Sequence, residues 1–312
     1  MLTACAVRSS RRALVAAVAA VGFFSASAYA QDFSQDADLD ITPDQEPSGR
    51  DLPDPQLEIE TVESAMSFSG GVDFQSHFIS YGLDVWGGGD DPSPFSDDST
   101  IFSYAQVDAA ITEDFGIFFN IWGDLNDNVE SNIGGAIQEI DLTAGATYQI
   151  DDRFGTSVSI GHWAYASDVE YVLDLGVSFD DAGLYGESGF YLSPSVLLHY
   201  RFDGNGGQEE ALAVVVGLSP GLSVDVDDDL AVDISFPVNV AFFGDEFQGG
   251  DSGFGYVSVS ASFSVPLTFV AEKYGDWGAY AAATFYHTEE DAIPTNPESD
   301  FLTTSFGLSY GF

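Results

Sequence analysis

Phe301-Leu302-Thr303-Thr304-Ser305-Phe306-Gly307-Leu308-Ser309-Tyr310-Gly311-Phe312 is a segment with two unlike faces. Counting back from the end, Phe312, Tyr310, Leu308 and Phe306 are large and apolar, while Gly311, Ser309, Gly307 and Ser305 between them are small or polar. Alternation with a period of two is the signature of a β-strand, whose successive side chains point to opposite faces. Chain ends normally fray into water. A strand that stops on an aromatic residue fits a membrane interface instead, where barrel strands place their aromatic girdles.

The other end of the chain explains how such a strand would reach a membrane. Arg8, Arg11 and Arg12 precede an apolar run from Ala13 to Phe24, and Ala28-Tyr29-Ala30 follows. A basic region, a short apolar stretch and an A-x-A site together predict a signal peptide over residues 1–30, cleaved before Gln31. No later stretch approaches the ~20 consecutive apolar residues of a spanning helix. Cys5 falls in the leader, so the mature chain has no thiol for a disulfide, a metal or catalysis. Leu2-Thr3-Ala4-Cys5 looks like a lipoprotein box but precedes the apolar run that such a box should follow.

Charge excludes one class of partner. All 51 acidic residues lie beyond residue 30, where only Arg50, Arg153, Arg201 and Lys273 oppose them, a balance of −47. With no basic patch to neutralise phosphates, nucleic acid is not a partner. Acidity also keeps exported chains soluble. A chain that is 45% apolar and 14% aromatic is not a disordered acidic polymer, and its 33 glycines among short alternating runs point to an all-β protein.

Residues 31–64 carry 11 acids, Pro43, Pro47, Pro53 and Pro55, and almost no aromatics. Such a segment buries too little apolar surface to offset its ordering entropy, and it reads as a disordered periplasmic extension. Residues 65–312 divide into about twelve alternating strands, with ten to fourteen compatible, the first running from Met66 towards Ile79 and the seventh from Leu184 to Tyr200. The most regular pair Ile140, Leu142, Ala144, Ala146 and Tyr148 with Glu139, Asp141, Thr143, Gly145 and Thr147, and Val169, Tyr171, Leu173 and Leu175 with Asp168, Glu170 and Asp174.

Alternation alone does not separate a membrane barrel from a soluble sandwich, but the connections do. Ile111-Thr112-Glu113-Asp114-Phe115-Gly116, Ile150-Asp151-Asp152-Arg153-Phe154-Gly155 and Val270-Ala271-Glu272-Lys273-Tyr274-Gly275 each set a tight charged turn before an aromatic and a glycine. Each follows an even-numbered strand, whereas the odd-numbered connections are mostly longer and polar. Short turns at one end, long loops at the other and an even strand count predict an antiparallel up-and-down transmembrane β-barrel. Pro194, Pro220, Pro237 and Pro266 fall inside strands, where each removes a ladder hydrogen bond. A bend at Pro220 is expected rather than a turn.

Two resemblances add to this reading. The terminal pattern Phe306, Leu308, Tyr310 and Phe312 resembles the insertion signal of bacterial outer-membrane barrels, which implies the barrel-assembly machinery as a partner and the outer membrane of a Gram-negative bacterium as the location. The stretch from Phe68 to Tyr200 resembles the TorF-type porin family through Ser76-His77-Phe78-Ile79-Ser80-Tyr81-Gly82, Glu139-Ile140-Asp141-Leu142-Thr143-Ala144-Gly145, Gly161-His162-Trp163-Ala164-Tyr165 and Asp168-Val169-Glu170-Tyr171. The family's first motif carries an Arg before its Gly, where this chain has Tyr81. The resemblance implies a small barrel acting as a porin.

If the large apolar residues face lipid, the opposite parity faces the lumen. Asp73, Asp108, Asn120, Glu139, Asp141, Glu170, Asp174, Asp225 and Asp233 then line a pore, with Gln106, Gln149 and Asn239. A lumen of one sign concentrates cations and repels anions. The expected function is passive diffusion of small hydrophilic solutes, cations favoured. The alternative is a closed structural or adhesive barrel whose acidic loops do the work.

Catalysis has few candidates. His77, His162, His199 and His287 are scattered, and Ser76 and His77 would point to opposite faces of a strand. Outer-membrane lipid hydrolases do use a Ser-His pair on a twelve-stranded barrel, which leaves that class as a third reading. Asp124-Leu125-Asn126-Asp127-Asn128 opens like a calcium loop, but Val129 and Gly135 stand where such a loop needs Gly and Glu. No metal, cofactor or catalytic residue is expected.

Overall fold

The computed structural model describes residues 66–312 except 90, 166–167, 186–188, 204–208 and 228–229. The leader and the acidic segment 31–64 lie outside the described residues. β1 (Met66–Gln75) is followed by a small hairpin of β2 (Ile79–Ser80) and β3 (Leu83–Asp84), then by β4 (Thr100–Ala110), β5 (Phe115–Leu125), β6 (Ile137–Gln149), β7 (Phe154–Tyr165) and β8 (Asp168–Phe179). The second half contains β9 (Phe190–Tyr191), β10 (Ser195–Asp203), β11 (Ala211–Leu218), β12 (Gly221–Asp227), β13 (Leu230–Ser235), β14 (Val238–Phe243), β15 (Gly253–Pro266), β16 (Asp276–Thr288) and β17 (Asp300–Gly311).

Apart from the β2–β3 hairpin, these strands form one antiparallel sheet in which chain neighbours pair and β17 returns to pair with β1. β9 with β10, β11 with β12 and β13 with β14 are the interrupted seventh, eighth and ninth of twelve crossings. Closure leaves no unpaired edge.

The three interruptions sit side by side at Pro194, Pro220 and Pro237. Each proline gives up its own N–H, yet its carbonyl still accepts a cross-strand bond: from Phe179 N at 3.0 Å, Phe236 N at 2.7 Å and Ser260 N at 2.8 Å respectively. The strand therefore bends at Pro220 and continues, as the sequence predicts. Pro266 ends β15 opposite Gly278.

Side chains sort by parity as a barrel in lipid requires. On β5, Ile117, Phe119 and Ile121 point outward and are 45%, 49% and 42% exposed, while Phe118, Asn120 and Trp122 between them are buried. Apolar residues outside and polar ones within is the reverse of a soluble fold, and a continuous apolar belt of this kind suits hydrocarbon.

Two boundaries differ from the sequence reading. β1 stops at Gln75 instead of running towards Ile79, because the chain turns inward through Tyr81 and Gly82, both in the left-handed region at φ 49° and 81°. The seventh crossing starts at Phe190 rather than Leu184. There the Asp181 carboxylate accepts the N–H groups of Leu192 and Ser193 at 2.9–3.0 Å and fixes a longer connection. The turns at 111–114 and 150–153 close alike, with Ile111 N donating to Phe115 O at 2.9 Å and Ile150 N to Phe154 O at 2.8 Å.

Candidate functional site

The lumen has two unlike walls because the inward parity of the first strands carries acids and that of the last strands carries small hydroxyls. Asp73 on β1, Asp124 on β5 and Glu170 on β8 are buried within it. Glu139 and Asp141 stand two residues apart on β6 and face the same side. Across from them, Ser258, Ser262 and Ser264 on β15 and Thr303 and Ser305 on β17 are buried, and Ser260 and Thr284 share a 2.7 Å hydrogen bond.

One ion pair and one histidine–carboxylate contact organise the acidic wall. Arg201 Nε lies 3.2 Å from Glu170 Oε1, and Tyr165 OH donates to the same oxygen at 2.7 Å. The Nε–H is not aimed along that line, so the contact is an ion pair rather than a directed hydrogen bond, while Nη1 donates to Phe247 O at 2.9 Å. His199 Nδ1 meets Asp174 Oδ1 at 2.6 Å, and its ring lies between those of Tyr81 and Trp163, at centroid distances of 4.5 and 5.2 Å.

Among the residues that parity places in the lumen, Asp73, Asn120, Glu139, Asp141, Glu170 and Asp174 face inward from β1, β5, β6 and β8. Asp108 lies apart, towards the turns, where Gln106 Nε2 donates to both of its oxygens at 2.9 and 3.0 Å. Asp233 sits on β13 across from Ser223 and Ser264. The backbone of Asp225 belongs to β12, but its side chain lies outside the described residues. Asp124, Arg201 and His199 also face the lumen, each sharing the inward parity of its strand, although sequence reasoning missed them because Asp124 and Arg201 look like loop residues and His199 is one of four scattered histidines.

The feature least visible in the sequence is the segment after β1. Residues 76–89 fold into the barrel mouth at the loop end and bridge opposite sides of the wall. Phe78 packs on Phe102 of β4 and Trp122 of β5, at centroid distances of 5.2 and 5.5 Å. Trp86 Nε1 donates to Asp124 Oδ2 at 3.1 Å. Tyr81 reaches His199 of β10, and Gly82 lies so close to Tyr256 of β15 that a Cβ there would fall 2.7 Å from its ring. Phe247, from the loop after β14, and Ile293, from the loop after β16, complete an apolar cluster with Leu197, Val215, Ala241 and Phe243. These contacts set residues 76–89 across the loop end of the lumen.

Ser76 and His77 are not on opposite faces of a strand, since both lie beyond β1, where Ser76 Oγ and His77 Nδ1 share a 2.7 Å hydrogen bond. Ser76 is fully buried and its hydroxyl also accepts Thr304 N–H at 2.9 Å. In the calcium-like loop, Asp124 is bonded to Trp86 and Thr100, and Asn126 Oδ1 accepts Asn128 N–H, so these oxygens do not converge on one ion. Among the described residues no cluster of three metal-ligating side chains occurs. His162 faces outward beside Tyr171 at 5.1 Å, and His287 pairs with Asp300 at 2.7 Å near the loops.

No family profile and no curated protein matches the chain, so the resemblance to the TorF-type family remains an expectation. Solved structures with a similar fold include a bacterial polysaccharide outer membrane secretin, 8% identical over 80% of this chain and 98% of that one, with a TM-score of 0.45. LpxR from Salmonella typhimurium is 10% identical over 79% and 99%, with a TM-score of 0.44. The KdgM porin is 8% identical over 79% and 99%, with a TM-score of 0.38. At these values the likeness assigns no function.

Proposed function

We propose that the protein is a porin-like channel of the Gram-negative outer membrane, delivered by a cleaved signal peptide and the barrel-assembly machinery, through which small hydrophilic solutes diffuse with a preference for cations. The observation that carries this reading is the charge of the lumen. Asp73, Asp108, Asp124, Glu139, Asp141, Glu170 and Asp174 face inward, and Arg201 is the one guanidinium among the described residues that faces them. Low-dielectric walls focus the field of such a belt, which raises the local concentration of cations and excludes anions. Facing hydroxyls offer replacement hydrogen bonds to a solute that sheds water. No catalytic step belongs to this reading.

The segment laid across the loop end supports a second reading, a structural barrel whose long acidic loops are the working surface. Liposome swelling with sugars of increasing size separates the two. A diffusion channel gives swelling that falls with sugar size. Absence of swelling with even the smallest sugar, from folded and inserted protein, would leave the closed barrel.

A further inference from the structure

We infer that Gln248 and Asn296 form a latch that holds hairpin 76–89 across the lumen, and that release of this hairpin is the step that opens the channel. The inference rests on the channel reading and concerns its regulation.

The hairpin's own backbone pairing is short. Its ladder consists of Ile79 opposite Asp84 and Ser80 opposite Leu83, extended by Val85 N–H donating to Phe78 O at 2.8 Å, and a two-stranded hairpin is marginal alone. Tyr81 adopts a left-handed backbone conformation that a residue with a bulky side chain avoids. Its backbone bond to the barrel sheet is Ser76 N–H donating to Thr304 O at 2.9 Å, at the very start of the segment, with Ser76 Oγ accepting Thr304 N–H beside it; beyond that point the barrel strands meet it through side chains, Phe78 against Phe102 and Trp122 and Trp86 Nε1 on Asp124.

Two side-chain amides from two other loops supply the missing strand partner. Gln248 Nε2 donates to Ser80 O at 2.9 Å. Asn296 Nδ2 donates to Gly82 O at 2.8 Å, and Asn296 Oδ1 accepts Asp84 N–H at 2.8 Å. Asn296 thus grips the backbone on both sides of Leu83 with a donor and an acceptor, as a neighbouring strand would. Thr288 Oγ1, 3.2 Å from Nδ2, helps to set which way the amide faces.

Both loops are themselves anchored. Phe247, adjacent to Gln248, receives Arg201 on its carbonyl and on its ring face at 4.9 Å. Ile293, three residues before Asn296, is buried in the apolar cluster. The latch residues therefore stand on fixed ground, while the hairpin they hold sits directly over the acidic wall through the contact of Trp86 with Asp124. A plug that touches the belt of like charge and is held by replaceable neutral hydrogen bonds is suited to opening without disturbing the barrel sheet.

The test uses the full mature chain in planar bilayers, comparing the wild type with Gln248→Ala, Asn296→Ala, the double variant, and a barrel whose residues 78–86 are replaced by a Gly-Ser linker. Loss of the three neutral hydrogen bonds that the double variant removes shifts a two-state equilibrium by at least about tenfold. Open-state occupancy is therefore expected to rise about tenfold in the double variant, with unchanged cation-to-anion permeability and unchanged heat modifiability. A Leu83→Cys reporter should react with a membrane-impermeant thiol reagent about tenfold faster when the latch residues are alanine. Gln248→Ala alone, with one bond lost, keeps the test valid if Asn296→Ala fails to fold. If the reporter reacts faster while occupancy stays the same, or if neither changes, the latch is overturned. If the linker-replaced barrel and the wild type are both non-conducting, it is the channel reading that fails, and the latch with it.

Discussion

Arg201 Nε stands 3.2 Å from Glu170 Oε1 inside the barrel, with both side chains 4% exposed. Removing one partner of a buried pair strands the other charge, which typically costs about 3–5 kcal/mol. Arg201→Gln should lower unfolding stability by that order, read from the denaturant midpoint in detergent, and Glu170→Gln added to it should restore most of the loss. A single variant as stable as the wild type would show that the pair does not hold the acidic wall.

The barrel closes where Val72 of β1 lies opposite Leu308 of β17 and Phe74 stacks on Phe306 at 4.9 Å. Phe68 and Phe312 exchange both backbone hydrogen bonds at 2.8 Å. Truncating Tyr310 to Phe312 removes that pair and opens an edge that lipid cannot satisfy. Assembly should be lost, and normal heat-modifiable barrel from the truncated chain would contradict the placement. Gly307→Val should behave alike, since a Cβ there would fall 2.3 Å from Asp73 Oδ1 and 2.7 Å from Val72 O.

The turn at 150–153 predicts a pH effect of defined sign. Backbone N–H groups of Arg153 and Phe154 donate to Asp151 Oδ1, both at 2.9 Å, and hold its carboxyl below the ordinary carboxylate range. A group with a lowered folded value contributes stability above its unfolded value, near ~3.9, and loses that contribution as pH falls through the folded value. Carboxyl titration by NMR should place Asp151 below a free Asp side chain. Titration at or above the free value would mean that the turn does not form this bond in solution.

Much of the fold was legible because its signals are local. The alternation of Phe306 to Phe312, the repeated charged turns before Phe115, Phe154 and Tyr274, and the parity of Glu139 with Asp141 each follow from one strand or one turn. The hairpin was not legible, because Ser76-His77-Phe78-Ile79-Ser80 continues the pattern of β1 without a break. What diverts it is tertiary. Phe102, Phe118 and Trp122 point inward with the polar residues, and inward aromatics need an apolar partner, which Phe78 supplies to Phe102 and Trp122. The same argument explains Arg201. Its position near a loop suggested solvent, but the parity of Leu197 and His199 carries it into the lumen, where Glu170 awaits it.

The charge of the lumen is tested most directly by the reversal potential of purified barrel in a planar bilayer under a potassium chloride gradient at neutral pH. A lumen lined by Asp73, Glu139, Asp141, Glu170 and Asp174 predicts a reversal potential displaced towards the potassium equilibrium value, and a smaller displacement in Glu139→Gln with Asp141→Asn. A reversal potential at zero, or one displaced towards chloride, would contradict a cation-favouring channel.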